Sequence, residues 1–453
     1  MQSERQLKSS AVRSIDGHVN ATHSQETLLK SKVLFEPPPS GVSVKPPRHG
    51  SRLRRTTAGL ALVATAASFG LAGAPAAHAE ERPPFYEPPV ELPTTNGELI
   101  RSEPSTYYLD PLKAIKVDAD VHRLMYRTTD GNGEGIAVTG TVITPRKAWK
   151  GDGERPLISY AAGTQGIGDH CAPSRQLSNG TEYEGIFIKG LIARGYAVVM
   201  TDYEGLGTPG DHTYINREVS GNAVLDVVRA AQSLPEANLP ANGPVAITGY
   251  SQGGGAAAAA AELAPEYAPE LDIKGAAVGA VPSELSTVAE NLDRGLYSAF
   301  LGYAIVGLAA GHDIDTDEYL NDKGRDYLTK VKQACTIEAV ATLGLRDSRK
   351  LTANGEPITE YLKEPQWKAI VDEQKIGERK PEVPVLINHS RLDDVIPFKL
   401  GKELKADWCA KGATVEFKPN LGPTHIGGAI ASFPRTFLWL EGVLKDKPAP
   451  SNC

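Results

Sequence analysis

The chain lacks the short motifs that mark metal and redox sites. It has no Cys-x-x-Cys pair, which argues against a zinc ribbon or a thioredoxin-like centre. It has no His-Glu-x-x-His, and His170 and His212 fall in unrelated loops, so neither a metal nor a cofactor is expected. No apolar run reaches the ~20 residues that a membrane-spanning helix needs. Positive charge is scarce outside the N-terminal segment. Residues 1–79 carry 10 Lys and Arg against 4 Asp and Glu, so the other 374 residues carry 38 against 51, a net of −13. Such an acidic body is repelled by phosphate backbones, and nucleic acid is not an expected partner. No stable protein partner is implied either.

The basic N-terminal segment has its own logic. Arg52, Arg54 and Arg55 precede an apolar run from Ala58 to Ala72, followed by Pro75 and the small-residue ending Ala77-His78-Ala79. That order is the pattern of a secretory signal peptide, with cleavage expected near Ala79 and a weak N-terminal anchor as the alternative. Residues 1–50 are polar and without periodicity, so 1–79 read as leader and signal, and the mature protein is expected outside the cell. All four cysteines, Cys171, Cys335, Cys409 and Cys453, lie beyond that point. An even number in an exported chain suggests two disulfides, and spacing alone leaves three connectivities open.

Beyond a Pro- and Glu-rich lead-in over 80–105, the pattern predicts an antiparallel hairpin, Lys116–Thr128 with Gly135–Thr144. Strands are then predicted at Pro156–Tyr160, Tyr196–Asp202, Val245–Thr248, Ile273–Ala280, Val383–Asn388 and Thr414–Lys418. Helices are predicted at Tyr183–Arg194, at a stretch capped by Ser220, and at the Ala-rich Gly254–Leu263. Strands alternating with helices imply an α/β fold, a mostly parallel sheet covered on both faces. Between about Pro282 and Lys380 no strand is predicted, and an apolar helix over Leu296–Leu308 carries Phe300, Leu301 and Ile305. The expected organisation is a core over 80–281, an inserted helical cap over 282–380 and the rest of the core over 381–453.

Gly249-Tyr250-Ser251-Gln252-Gly253 follows the strand Pro244–Thr248 and precedes the Ala-rich helix. A strand–turn–helix elbow holds a serine in a strained backbone geometry, and flanking glycines avoid clashes there. Ser251 is therefore the expected nucleophile. A serine hydroxyl needs a base to take its proton, and in this arrangement the order is serine, acid, histidine. Of His312, His389 and His425, the first falls in the cap and the second precedes any acid that could orient it. His425, in the loop Gly422–Gly428, is the expected base. The acid should follow the strand ending at Asn388. Asp393 stands four residues before Pro397 and is preferred to Asp394. Oxyanion donors are expected from the amide of Gln252 and from the loop Ala161–Gly166, at Gln165 with Thr164 as the neighbouring choice. Gly205-Leu206-Gly207-Thr208-Pro209-Gly210 matches a dinucleotide fingerprint literally, but Pro209, Asp211 and Thr213 suit a loop rather than a helix start.

Together with Cys171-Ala172-Pro173-Ser174, Gly195-Tyr196-Ala197-Val198-Val199 and Asp202-Tyr203-Glu204-Gly205, these motifs resemble the secretory lipase family of α/β-hydrolases, from about residue 105 to the C-terminus. The resemblance implies a serine esterase or lipase acting on lipid esters of the triacylglycerol type, working at a lipid–water interface under a helical cap. An acyltransferase with the same triad and a short-chain carboxylesterase are the alternatives. It implies the triad Ser251, Asp393 and His425, and disulfides Cys171–Cys335 and Cys409–Cys453. Fungal members carry an acidic residue where Gln165 stands and glycine where Gln252 stands. A backbone donor survives both changes, whereas an acid-tuned pH profile does not carry over.

Overall fold

The computed structural model describes residues 82–453. The leader, signal sequence and cleavage point expected within 1–79 lie outside the described residues.

Nine strands form one sheet: β1 Leu99–Pro104, β2 Ala119–Thr129, β3 Gly135–Pro145, β4 Leu157–Ala161, β5 Ala197–Thr201, β6 Val245–Tyr250, β7 Ile273–Gly279, β8 Val385–Ser390 and β9 Val415–Asn420. Their order is β1-β2-β3-β5-β4-β6-β7-β8-β9. β1, β2 and β3 run antiparallel, β3 meets β5 antiparallel, and the six strands from β5 to β9 are parallel. β4, β5 and β6 are buried along their whole length, as uninterrupted apolar strands between two helical layers should be.

The helices are α1 Pro173–Asn179, α2 Gly185–Ala193, α3 Arg217–Ser233, α4 Gln252–Tyr267, α5 Leu285–Leu292, α6 Ser298–Gly311, α7 Asp322–Val331, α8 Thr336–Leu343, α9 Ile358–Tyr361, α10 Pro365–Glu373, α11 Phe398–Ala410 and α12 Thr424–Val443. α3 and α4 pack on each other and on the sheet, while α11 and α12 lie against β7, β8 and β9. α5 to α10 all fall between β7 and β8 and contribute most of a second apolar core that also takes in Tyr250, Val395 and Ile396.

Two local expectations are corrected. Ser220 caps nothing: it lies in the first turn of α3, which begins at Arg217 after Asn216. Asn216 is drawn elsewhere, its Nδ2 donating to the Gly307 carbonyl on α6 at 2.8 Å. The lead-in over 80–105 contains β1, an edge strand whose half-buried residues show no apolar alternation.

The motifs at Cys171–Ser174 and Asp202–Gly205 meet in space. Asp202, buried after β5, accepts from the Ser174 amide at 2.7 Å and its hydroxyl at 2.5 Å. Two disulfides close, Cys171–Cys335 and Cys409–Cys453, each with Cα atoms 5.4 Å apart. Among the described residues, His170, Cys171 and Cys335 are the one group spaced for a metal, and both cysteine sulfurs there are spent in the disulfide. No helix among the described residues is long and apolar enough to cross a membrane.

Candidate active site

Ser251 sits between the end of β6 and the first residue of α4, with φ 61° and ψ −123°. This is strained for any residue with a Cβ. The crowding around it explains the glycines: a Cβ on Gly249 would run into the Gly253 carbonyl, and one on Gly253 into the Ala161 carbonyl of β4. Only a bare backbone lets β4, β6 and α4 converge there. The Gln252 amide, first in α4, has no intrahelical acceptor and lies at the positive end of the helix.

Asp393 follows β8. Its Oδ1 accepts the amides of Val395 at 3.0 Å and Ile396 at 2.8 Å, and both its oxygens lie 2.9 Å from Nδ1 of His425. Since a carboxylate only accepts, Nδ1 carries the proton and Nε2 is left to act as a base. Burial alone would raise the Asp393 carboxyl, but the His425 hydrogen bond and charge, with the Ile396 amide, outweigh it and hold the group below the usual range. Asp394 plays a different part. Its Oδ1 accepts the His425 amide at 2.8 Å, which fixes the start of α12.

His389 is buried with Nε2 donating to the Ile396 carbonyl at 2.9 Å, 3.7 Å from Asp393, and burial lowers its pKa. It packs behind the acid. His312 ends α6 in the helical insertion. Ser251 makes no hydrogen bond to His425 among the described residues. Tyr250 links them, since its hydroxyl donates to the His425 carbonyl at 3.1 Å and its ring centroid lies 5.0 Å from the imidazole.

On the opposite side, the side chain of Gln165 is committed away from solvent. Nε2 donates to Glu182 at 3.0 Å, Oε1 accepts from Gln176 at 2.8 Å, and the carbonyl accepts the Thr336 amide at 3.0 Å. Its backbone N–H has no acceptor among the described residues and is free for an incoming oxygen. Thr164 is held through its hydroxyl to Tyr214 at 2.7 Å.

Three contacts are not legible in the sequence. Tyr250 makes one. The second is at His212, which reads as a loop residue: Nδ1 donates to the Glu204 carbonyl at 2.8 Å, and Nε2 accepts from the Gln252 side chain at 3.0 Å. Burial pushes this imidazole down to about 4, so it stays neutral and locks the residue after Ser251. The third is the pair Glu182 and Glu184 beneath the Gly163–Gln165 loop. The loop Gly205–Gly210 opens no helix; all three glycines have positive φ, which suits a tight turn.

Ser251 and Gln252 open onto an apolar cavity walled by the insertion, including Phe300, Leu301 and Ile305. A second cavity adjoins it, and Leu301, Ile305 and Ile358 form walls of both.

The secretory lipase family model matches residues 172–452. The chain belongs to the secretory lipase family. It is 30% identical over 380 residues to a Mycobacterium tuberculosis protein named probable inactive lipase MT1628, covering 81% of this chain and 82% of that one. It is 26% identical over 330 residues to the secreted triacylglycerol lipase LIP5 of Malassezia furfur, covering 69% of this chain and 84% of that one. Among solved structures it is similar to Candida antarctica lipase A in its closed state, with TM-score 0.72 and 26% identity over 83% of this chain and 89% of that chain.

Proposed function

We propose that this secretory-lipase-family protein is an exported carboxylic ester hydrolase that cleaves acyl lipids of the triacylglycerol type. The observation that carries the reading is the Asp393–His425 hydrogen-bonded pair beside a strained Ser251 that opens into an apolar cavity.

In this reading His425 Nε2 takes the Ser251 proton as Oγ attacks the ester carbonyl. Asp393 stabilises the imidazolium that forms. The Gln252 amide at the head of α4 and the Gln165 amide receive the oxyanion. His425 then returns its proton to the departing alcohol, and water releases the acyl-enzyme by the same steps. The acyl chain lies in the cavity under α5 to α10, which serve as the cap. Leu392, Leu421 and Ile426, exposed near Asp393 and His425, support contact with a lipid–water interface. Export is supported by the two disulfides, the secreted relatives and the signal-like segment ending at Ala79.

A relative named inactive makes a direct test necessary. A chain-length series of p-nitrophenyl esters, with the unaltered protein and Ser251→Ala, provides it. Turnover should fall by at least ~10³ in the variant, and undiminished turnover would overturn the reading. A preference for acetyl over decanoyl esters would make the protein a short-chain esterase. Transesterified product with added glycerol would make it an acyltransferase.

A further inference from the structure

Two glutamates lie together beneath the loop that is read as supplying the second oxyanion donor. Both are buried, with residue exposures of 8% for Glu182 and 4% for Glu184. Glu184 Oε2 accepts the Gly163 amide at 2.7 Å, and Oε1 accepts from the Tyr160 hydroxyl at 3.1 Å. Glu182 Oε1 accepts from Gln165 Nε2 at 3.0 Å. Each end of the three-residue loop is thus held by one of the two carboxyls. The other groups facing them are neutral: Tyr107, Tyr160, Tyr183 and Tyr203, from the strands and loops packed around the start of α2. Among the described residues no lysine, arginine or histidine is paired with either acid.

Two buried acids without a cation are costly to ionise. Burial pushes Glu184 up to about 7. Burial, and then the charge of Glu184, push Glu182 well above the usual carboxylate range. Protonation leaves the loop's hydrogen bonds intact. The Tyr160 hydroxyl can accept a hydrogen bond from a protonated Oε1 as readily as it donates one, so neutral Glu184 keeps the Gly163 amide on Oε2.

We propose that Glu182 and Glu184 are positioning residues that make the oxyanion loop pH-sensitive: while neutral they hold Gly163 and Gln165 in place, and once one ionises its buried negative charge opposes the developing oxyanion. The inference rests on the ester-hydrolase reading and on Gly163–Gln165 being the donor loop. A unit charge about 10 Å from an oxyanion, at an effective dielectric of about 20, changes the rate by about tenfold. The decline should appear in kcat rather than KM, because the oxyanion exists only in the transition state and the tetrahedral intermediate.

The test is the profile of kcat and kcat/KM between about pH 6 and about pH 9 on a soluble p-nitrophenyl ester. It compares the unaltered protein, Glu184→Gln, and the double variant Glu182→Gln with Glu184→Gln. In parallel, infrared difference spectra follow a protonated carboxyl over the same range. In the unaltered protein kcat should fall about tenfold on the alkaline side, with a midpoint near the value of about 7 for Glu184, as a protonated carboxyl disappears with the same midpoint. In Glu184→Gln the fall should depart from that midpoint, with Glu182 alone left to titrate, and in the double variant it should vanish. Superimposable profiles overturn the proposal. Where the variants do not fold, the unaltered protein decides alone: coincident kinetic and infrared midpoints support the inference, and an alkaline decline without a titrating carboxyl overturns it. Full turnover in Ser251→Ala is a separate result that removes the hydrolase reading itself.

Discussion

The two neighbouring aspartates after β8 offer a sharp test of the catalytic assignment, because they touch the same histidine through different atoms. Asp393 meets His425 at Nδ1, while Asp394 meets it at the backbone amide. In Asp393→Asn, the amides of Val395 and Ile396 orient the side-chain carbonyl toward themselves. The NH₂ group then faces Nδ1, which must accept, and the imidazole proton moves to Nε2. The base is lost without disturbing the fold, and kcat should fall about 10⁴-fold, close to 5.5 kcal/mol. Asp394→Asn keeps an acceptor for the His425 amide and should stay within about tenfold of the parent. Asp394→Ala loses one charge-assisted hydrogen bond, about 1.5–3 kcal/mol, or at most ten- to roughly a hundredfold. The assay is kcat on a p-nitrophenyl ester, normalised by titrating active serine with a phosphonate. The assignment is refuted by the opposite ranking, with Asp394→Asn the crippled variant and Asp393→Asn close to the parent.

Other perturbations reach different parts of the site. Ile305→Trp fills the junction between the two cavities. It should leave butyryl esters little affected and cost longer ones up to about fourfold in kcat/KM per methylene excluded, at about 0.8 kcal/mol each. Cys335→Ser opens a 164-residue loop, worth up to about 5 kcal/mol by chain entropy. It should lower the denaturation midpoint and kcat together, since Thr336 bonds the Thr164 and Gln165 carbonyls; a stability loss with kcat unchanged would refute that coupling. His212, lowered from 6.5 to about 4, binds its proton more weakly in the folded state. Its contribution, about 3 kcal/mol, is therefore complete above pH 6.5 and lost as pH falls toward 4. Glu184, raised from 4.5 to about 7, acts oppositely, its neutral-state advantage being lost as pH rises through that window. Urea midpoints of His212→Gln minus those of the parent isolate the histidine, and a pH-independent difference would contradict it.

The parts of the molecule written in local pattern were readable from the sequence. β4, β5 and β6 are short apolar runs with turn residues on both sides, and Ser251 stands between a strand and six alanines. The order of serine, acid and histidine narrowed three histidines to His425. What escaped depends on contacts between distant segments. β1 is an edge strand that reads as a linker. The start of α3 depends on Asn216 reaching Gly307, 91 residues away. His212 and Glu182 look like loop polarity, and Glu184 like an exposed first-turn helix residue, until folding buries them against Gln252, Gln165 and Gly163. Tyr250 carried a signal, its place inside the elbow motif, but nothing in the sequence tells which of its faces meets His425.

These distant contacts also constrain how the helical insertion α5 to α10 can move. The loop Gly163–Gln165 is held by Glu184 and Glu182 from the turn before α2, by Tyr214 from the chain before α3, and by Thr336 from the first turn of α8. Cys335, just before Thr336, is covalently tied to Cys171, and the Ile167 amide donates to the Ala334 carbonyl at 3.3 Å. A rigid-body swing of α5 to α10 would break these hydrogen bonds and is barred by the disulfide. Under the proposed function, access for a lipid would therefore come from parts of the insertion remote from Cys335, such as the wall formed by α6, α9 and α10, while the junction of α7 and α8 stays fixed against the Gly163–Gln165 loop. Under the proposed ester hydrolysis, one end of the insertion would shape the acyl cavity and the other would keep the Gln165 amide aimed at the reacting carbonyl.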